Sequence, residues 1–186
     1  AEVMEHLGYD KFLVAGHDRG ARVVHRLALD YPHKILRACV MDIMPTRYMF
    51  HATDQNFATG YYHWFFLIQP NGLPEKMIGA DPAYYLMEKL KRWAAPDMVF
   101  SDAAVAQYIR CFSEPECIHA SCEDYRAAAS IDLEHDAADE NKKIEAPLLV
   151  LWGTTGFVNR TYNVLETWSN YARCVSGKAL DCGHFL

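Results

Sequence analysis

The chain has 186 residues, a formal net charge of −6, and 51% hydrophobic against 23% charged residues. That length holds one domain with a sizeable core. The acidic balance argues against nucleic acid as a partner, since phosphate binding needs a clustered basic surface, and no apolar stretch nears the roughly 18 residues of a membrane span.

The first eight residues read as the end of an amphipathic helix stopped by Gly8. Phe12 to Gly16 is a short apolar run without alternation, which predicts a strand buried on both faces. From Arg19 to Tyr31 the apolar positions Val23, Leu27 and Tyr31 recur at helical spacing, and Pro32 ends the run. Ile35 to Ile43 predicts a second buried strand, so the order is strand, turn, helix, strand with short links, the mark of a parallel α/β sheet.

Between Pro45 and about Lys143 the strand signal fades. Helices are predicted at 83–90, 102–110 and 123–130, and the charged stretch 136–143 reads as a solvated link. A buried strand returns at 147–153, followed by a helix near 162–171 and a last strand near 174–180. The expected organisation is an α/β core from 1–45 and 144–186, with 46–143 inserted as a helical lid over the carboxyl ends of the strands. The six cysteines follow no tight disulfide framework, and free thiols are expected. Cys117, His119 and Cys122 lack the paired spacing of zinc ligands, so no metal site is expected there.

Gly16-His17-Asp18-Arg19-Gly20 carries the chemistry. The string G-x-D-x-G arises by chance in roughly one chain of this length in twenty, so its position between a buried strand and a helix gives it weight. Such a turn is a nucleophile elbow, which lifts its central side chain to the top of the sheet, where free helix N–H groups favour negative charge. A carboxylate nucleophile suits displacement at saturated carbon, because the ester it forms can be opened by water at the enzyme's own carbonyl. That second step needs a base, and His184 lies just past the last strand. The loop after 147–153 holds no carboxylate, whereas Asp42 ends the preceding strand in an apolar run where an unpaired acid is costly. Asp42 is therefore the expected partner of His184, with a structural helix cap as the other reading. Arg19 and Arg22, three apart on one helix, can face the same side and fork onto a substrate carboxylate. Surface salt-bridging is the other reading of the pair.

With these residues assembled, the chain resembles the fluoroacetate (haloacetate) dehalogenases of the α/β-hydrolase fold. The resemblance rests on Gly16 to Val23, Met41-Asp42-Ile43 followed by Pro45-Thr46, His63-Trp64, Asp124 to Ala129, Ile131 to Asp136, and Cys182-Gly183-His184. It implies Asp18, Asp42 and His184 as catalytic residues, Arg19 and Arg22 as the carboxylate clamp, and His63, Trp64 and Tyr125 as halide donors. Haloalkane dehalogenases and epoxide hydrolases are similar more loosely, typically with Trp where this chain has Arg19. The implied reaction is hydrolysis of a 2-haloacid to a 2-hydroxy acid and halide through an aspartyl ester, with no metal or organic cofactor. The expected partner is the small haloacid, with neither nucleic acid nor membrane, and a cytoplasmic homodimer is the assembly carried with the reading. Two alternatives stand beside it: an epoxide hydrolase using the same Asp18, with Tyr125 and one of Tyr61, Tyr62 or Tyr108 as proton donors, and a non-catalytic binder of small acids. The chain begins inside a helix and stops two residues after His184, so it is expected to be part of a longer parent that supplies the early strands and part of the oxyanion hole. The backbone N–H of Arg19 is the candidate donor that remains, and the piece alone is expected to be inactive.

Overall fold

A computed structural model describes all 186 residues. After a short helix α1 (Glu2–His6), strand β1 (Phe12–His17) leads into helix α2 (Arg19–Asp30) and strand β2 (Ile35–Met41). Eight helices follow: α3 (Thr46–His51), α4 (Gln55–Gly60), α5 (His63–Leu67), α6 (Leu73–Ala80), α7 (Pro82–Trp93), α8 (Asp102–Phe112), α9 (Pro115–Ala128) and α10 (Ile131–Ala138). The chain then returns through β3 (Leu148–Gly153), α11 (Phe157–Thr161), α12 (Val164–Ser169) and β4 (Val175–Leu180). The strands form one parallel sheet in the order β1-β2-β3-β4. Their carboxyl ends, at His17, Met41, Gly153 and Leu180, fall on the same edge, the general position of sites in open α/β sheets.

Helices α2 and α12 share one face of this sheet, where the His25 ring meets Trp168 at 5.4 Å, edge to face. The inward residues Ala38, Val40, Leu148 and Val150 are at most 3% exposed. The opposite face is open: Leu13 is 67% and Leu149 40% exposed, and Leu36 lies exposed on β2. Within these 186 residues the strands are covered on one side, where burial on both is expected from their continuous apolar runs.

Helix α2 also turns differently from its apolar spacing. Val23 is 63% exposed, and the buried side is Ala21, Val24, His25 and Ala28. The small alanines let the helix lie close to β1 and β2, and the tight turn that starts it fixes its rotation. Strand β2 stops at Met41, two residues short of the expected Ile43, because Asp42 takes φ 50 and bends the chain away. Caps define the inserted helices: Asp54 accepts from the Phe57 N–H at 2.7 Å, Asp81 from Tyr84 at 3.0 Å and Ser101 from Ala104 at 3.3 Å. The charged stretch 136–143 begins inside helix α10, and it is not merely solvated. Asp136 accepts the Arg47 N–H at 3.3 Å, and Asp139, with its side chain 12% exposed, pairs with Arg26 of α2. No helix is long and apolar enough to cross a membrane.

Candidate active site

The turn after β1 is built by a close approach. A Cβ on Gly16 would stand 2.4 Å from the Gly20 carbonyl oxygen, so only glycine lets the strand pass the first turn of α2. Position 20 has open space around its own missing side chain. Asp18 sits between them at φ 50, ψ −120, in a region that L residues rarely occupy, and its carbonyl accepts the Ala21 N–H at 3.0 Å. The carboxylate is thereby lifted off the end of the sheet at the head of a helix.

Asp42 makes the same kind of corner, φ 50, at the end of β2. Its backbone N–H bonds the Leu151 carbonyl at 2.8 Å, and its Oδ1 accepts from the Gly153 N–H at 3.1 Å, which ties it to the last residue of β3. Oδ2 faces His184 Nδ1 at 2.6 Å, and the side chain is 1% exposed. On the other side of the imidazole, Nε2 lies 3.3 Å from Asp18 Oδ2. The His184 loop is held against the insertion, because its N–H donates to the Trp93 carbonyl at 2.8 Å. A Cβ at Gly183 would come within 2.6 Å of that same oxygen. The structure thus brings Asp18, Asp42 and His184 together, and Asp42 faces the imidazole and not a helix end.

The electrostatics follow from this geometry. Burial alone would raise the Asp18 carboxyl, but the hydrogen bond and charge of His184, with Arg22 and His17 behind, hold it well below the usual carboxylate range. Burial alone would lower His184, yet its bonds to Asp18 and Asp42 outweigh that and raise it to about 9. Asp18 is therefore ionised and the imidazole carries a proton near neutral pH.

The two arginines are held differently. Arg22 is buried, and its Nη1 donates to the Met44 carbonyl at 3.0 Å and the Thr46 hydroxyl at 2.9 Å, while its Nε is buried without an acceptor. Burial and the charge of Arg19 bring it down to about 10. Arg19 is the one in an ion pair, forked onto Asp124 of α9, and Asp124 also offers its carbonyl to Nη2 at 3.0 Å. Its Nη1 remains buried without an acceptor. Each guanidinium therefore keeps one buried donor unsatisfied beside Asp18, an arrangement that suits an anion.

The inserted helices supply the opposite wall. His63 and Trp64 are buried at the start of α5 and Tyr125 is buried on α9, with the His63 and Tyr125 rings 5.6 Å apart. Arg22 lies 4.6 Å over the Trp64 ring and Arg19 4.8 Å over Tyr125. Burial and the nearby Lys89 lower His63 to about 3, so it is neutral. Burial and Asp18 push the Tyr125 phenol far up, so it stays a donor. Two spaces meet at Asp18. A cavity of about 10 Å³, on the scale of a single water, is lined by Asp18, Arg22, Asp42, His63, Trp64 and His184 among others. A groove of about 220 Å³ is lined by Asp18, Arg19, His63, Lys89, Trp93 and Tyr125 with apolar neighbours.

Sequence reasoning passed over Trp93 and Lys89, one turn apart on α7. The Trp93 ring stands 5.1 Å from His63 and 5.4 Å from His184, and its Nε1 is buried without an acceptor. Tyr61, named only as a candidate donor, lines the small cavity and is 9% exposed, whereas Tyr108 lies exposed on α8 and Tyr62 is 41% exposed. The unpaired Trp93 Nε1 facing the groove marks α7, but unpairedness is visible only in three dimensions. Of the unassigned thiols and imidazole on α9, Cys122 is buried and His119 faces Glu75 at 3.2 Å.

The comparisons with known proteins agree with this architecture. A family model for the alpha/beta hydrolase fold matches residues 1–186. A fluoroacetate dehalogenase from Burkholderia sp is 38% identical over 186 residues, all of this chain and 61% of that protein. A soluble epoxide hydrolase from Corynebacterium sp. (strain C12) is 30% identical over 194 residues, with this chain spanning 64% of its length. Among solved structures, an alpha/beta hydrolase from Nostoc sp PCC 7120 superposes with a TM-score of 0.97 at 59% identity, over 100% of this chain and 64% of that one. The chain thus spans a little over three-fifths of the curated relatives it matches, and it is similar both to a dehalogenase and to an epoxide hydrolase. With the parallel sheet, the acid on its strand-to-helix elbow and a model matched along every residue, this chain belongs to the alpha/beta hydrolase fold family.

Proposed function

We propose that the protein carrying this chain is a hydrolytic dehalogenase of short 2-haloacids. The observation that carries the reading is His184 standing between Asp18 at 3.3 Å and Asp42 at 2.6 Å, with Asp18 ionised on its elbow. In this reading residues 46–143 are the cap. Arg19 and Arg22 offer their unsatisfied N–H groups to the substrate carboxylate. An Asp18 oxygen attacks the carbon bearing the halogen, the carbon–halogen bond breaks, and the halide leaves with the electron pair toward His63, Trp64 and Tyr125.

The ester that forms is neutral, and this matters for the base. His184 loses one of the two anions that hold its proton, so its affinity for that proton falls and the imidazole becomes free to act. It takes a proton from water, and the resulting hydroxide attacks the Asp18 carbonyl carbon, with the Arg19 backbone N–H at the head of α2 as the candidate donor to the developing oxyanion. Cleavage of the acyl–oxygen bond releases the 2-hydroxy acid, which recovers the proton, and the Asp18 carboxylate returns carrying one oxygen from water. Asp42 keeps the imidazole oriented throughout and stabilises its cation.

A second reading has its own support. Tyr61 and Tyr125 both line the spaces that meet at Asp18, and two phenols kept protonated by burial suit the opening of an epoxide. The arginine pair weighs against it for any epoxide without an acid group. The test is halide release from fluoroacetate and chloroacetate beside an Asp18→Asn control. Fluoride release that disappears in the control is the expected result. Absence of any halide, with diol formed from a small epoxide, would overturn the dehalogenase reading in favour of the second. Binding of small acids with no turnover of either substrate would leave a non-catalytic binder.

A further inference from the structure

Lys89 on α7 is buried, only 6% exposed, and takes no part in the mechanism above. None of the protein's ion pairs includes it. Its ammonium rests instead against aromatic faces, 3.9 Å from the Tyr62 ring centre, 5.3 Å from Tyr85 and 5.5 Å from Trp93. Such faces attract a cation without neutralising it, so the positive charge projects into the groove that Lys89 shares with Asp18, Arg19 and Tyr125. Burying a charge with no counter-ion is costly, and here burial, helped by Arg92, brings the lysine down to about 7. Beside it, the Trp93 indole N–H is also buried without an acceptor. Below about pH 7, where Lys89 is charged, the ammonium and the neighbouring unpaired donor line the same space and are the complement of a small anion.

We propose that Lys89 and Trp93 form a second anion subsite on the α7 side of this groove, apart from the guanidinium of Arg19 that also lines it, which takes a small monoanion: a short carboxylate on its way to Asp18 or a halide on its way out. The naming of those two anions rests on the haloacid reading, whereas the subsite itself does not. Asp18 and Asp124 also face the groove and would repel either anion. Asp124 is already paired with Arg19, and Lys89 on α7 offsets Asp18 and gives the anion a resting point before the clamp.

The test is a binding measurement that needs no turnover. Bromide quenches indole fluorescence, and Trp93 lies beside the ammonium, so sodium bromide titrations at pH 6 of the unaltered protein, Lys89→Met and Lys89→Arg report on the subsite with the lysine charged. The expected result is saturable quenching that is about tenfold weaker in Lys89→Met and kept within about twofold in Lys89→Arg, the loss or retention of one close charge in a half-closed groove. Equal affinity in the unaltered and Lys89→Met proteins overturns the proposal. Displacement of bromide by sodium acetate assigns the subsite to the incoming acid as well, while a bromide site indifferent to acetate assigns it to the departing halide. Should Lys89→Met fail to fold, bromide soaked into crystals of the unaltered protein decides. An anomalous peak in ion-pairing reach of Lys89 supports the subsite, and bromide confined to Arg19 and Arg22 or to His63, Trp64 and Tyr125 overturns it. Because none of these arms requires catalysis, a protein that releases no halide can still pass them, and one that releases fluoride can still fail.

Discussion

The two walls of the site are made in opposite ways. On the sheet side, each acid is fixed by its backbone: Asp18 and Asp42 occupy positive-φ corners at strand ends, and Asp42 is tied to β3 through Leu151 and Gly153. Asp18, Asp42 and His184 all have partners there, and the open donors on that side belong to Arg19 and Arg22. On the insertion side the side chains stand on short helices, and their donors are left open at His63 Nδ1, Trp93 Nε1 and the Lys89 ammonium. Satisfied groups make a rigid apparatus that presents one reactive carboxylate, while unsatisfied donors make a surface that waits for an anion. On the proposed reaction, the sheet wall performs the bond chemistry and the insertion wall selects what undergoes it.

This contrast can be broken or sharpened experimentally. The largest effect is expected on the sheet side. Asp42→Asn keeps the shape but presents an amide to His184 Nδ1, and turnover should fall by about 10⁴ with little change in fold. A loss of less than about tenfold in steady-state kinetics would mean that Asp42 does not orient the base.

The next effect is structural. Gly16→Ala drives a Cβ into the Gly20 carbonyl and should cost about 3 kcal/mol or more of stability. Gly20→Ala has open space and should be neutral or stabilising by up to about 1 kcal/mol, since alanine favours the helix. Denaturant midpoints for the two variants check this, and equal losses would show that the elbow is not fixed by that approach.

The smallest effect is on pH dependence. His184 is raised from 6.5 to about 9 in the folded protein, so its contribution to stability is fully present below about pH 6.5 and is lost as pH rises through about 9. Thermal midpoints measured from pH 6 upward should fall across that window, and the fall should be shallower in Asp18→Asn, where one of the two anions is gone. A profile identical in the two proteins would remove Asp18 from the coupling.

Much of the sheet wall was legible in the sequence. Asp18 announced itself by its flanking glycines, Asp42 by the cost of an acid in an apolar run, and His184 by following the last strand. These are backbone-encoded signals, and backbone patterns are what a linear reading detects. The insertion wall was not legible from residue patterns: His63, Trp64 and Tyr125 stood out only through the family resemblance, and Lys89 not at all. Their meaning depends on which helices pack together, and no local spacing carries that. The faces were misread for a related reason. Leu13 and Leu149 carry the apolar pattern of core but are not covered within these 186 residues, and Val23 outshone the alanines that bury α2. Helix α10 hid behind its charges, several of which serve as anchors to α2 and α3.

The twin corners at Asp18 and Asp42 have a consequence for descent and for engineering. An L residue held at φ 50 costs about 1–3 kcal/mol that glycine would not incur. Glycine at position 18 or 42 would relieve that strain but take from His184 a partner that holds its proton and, at 42, leave the buried Gly153 N–H without its acceptor. A descendant or designed variant with glycine there exchanges one cost for another, so these two corners hold their strain for the sake of the bonds their side chains make.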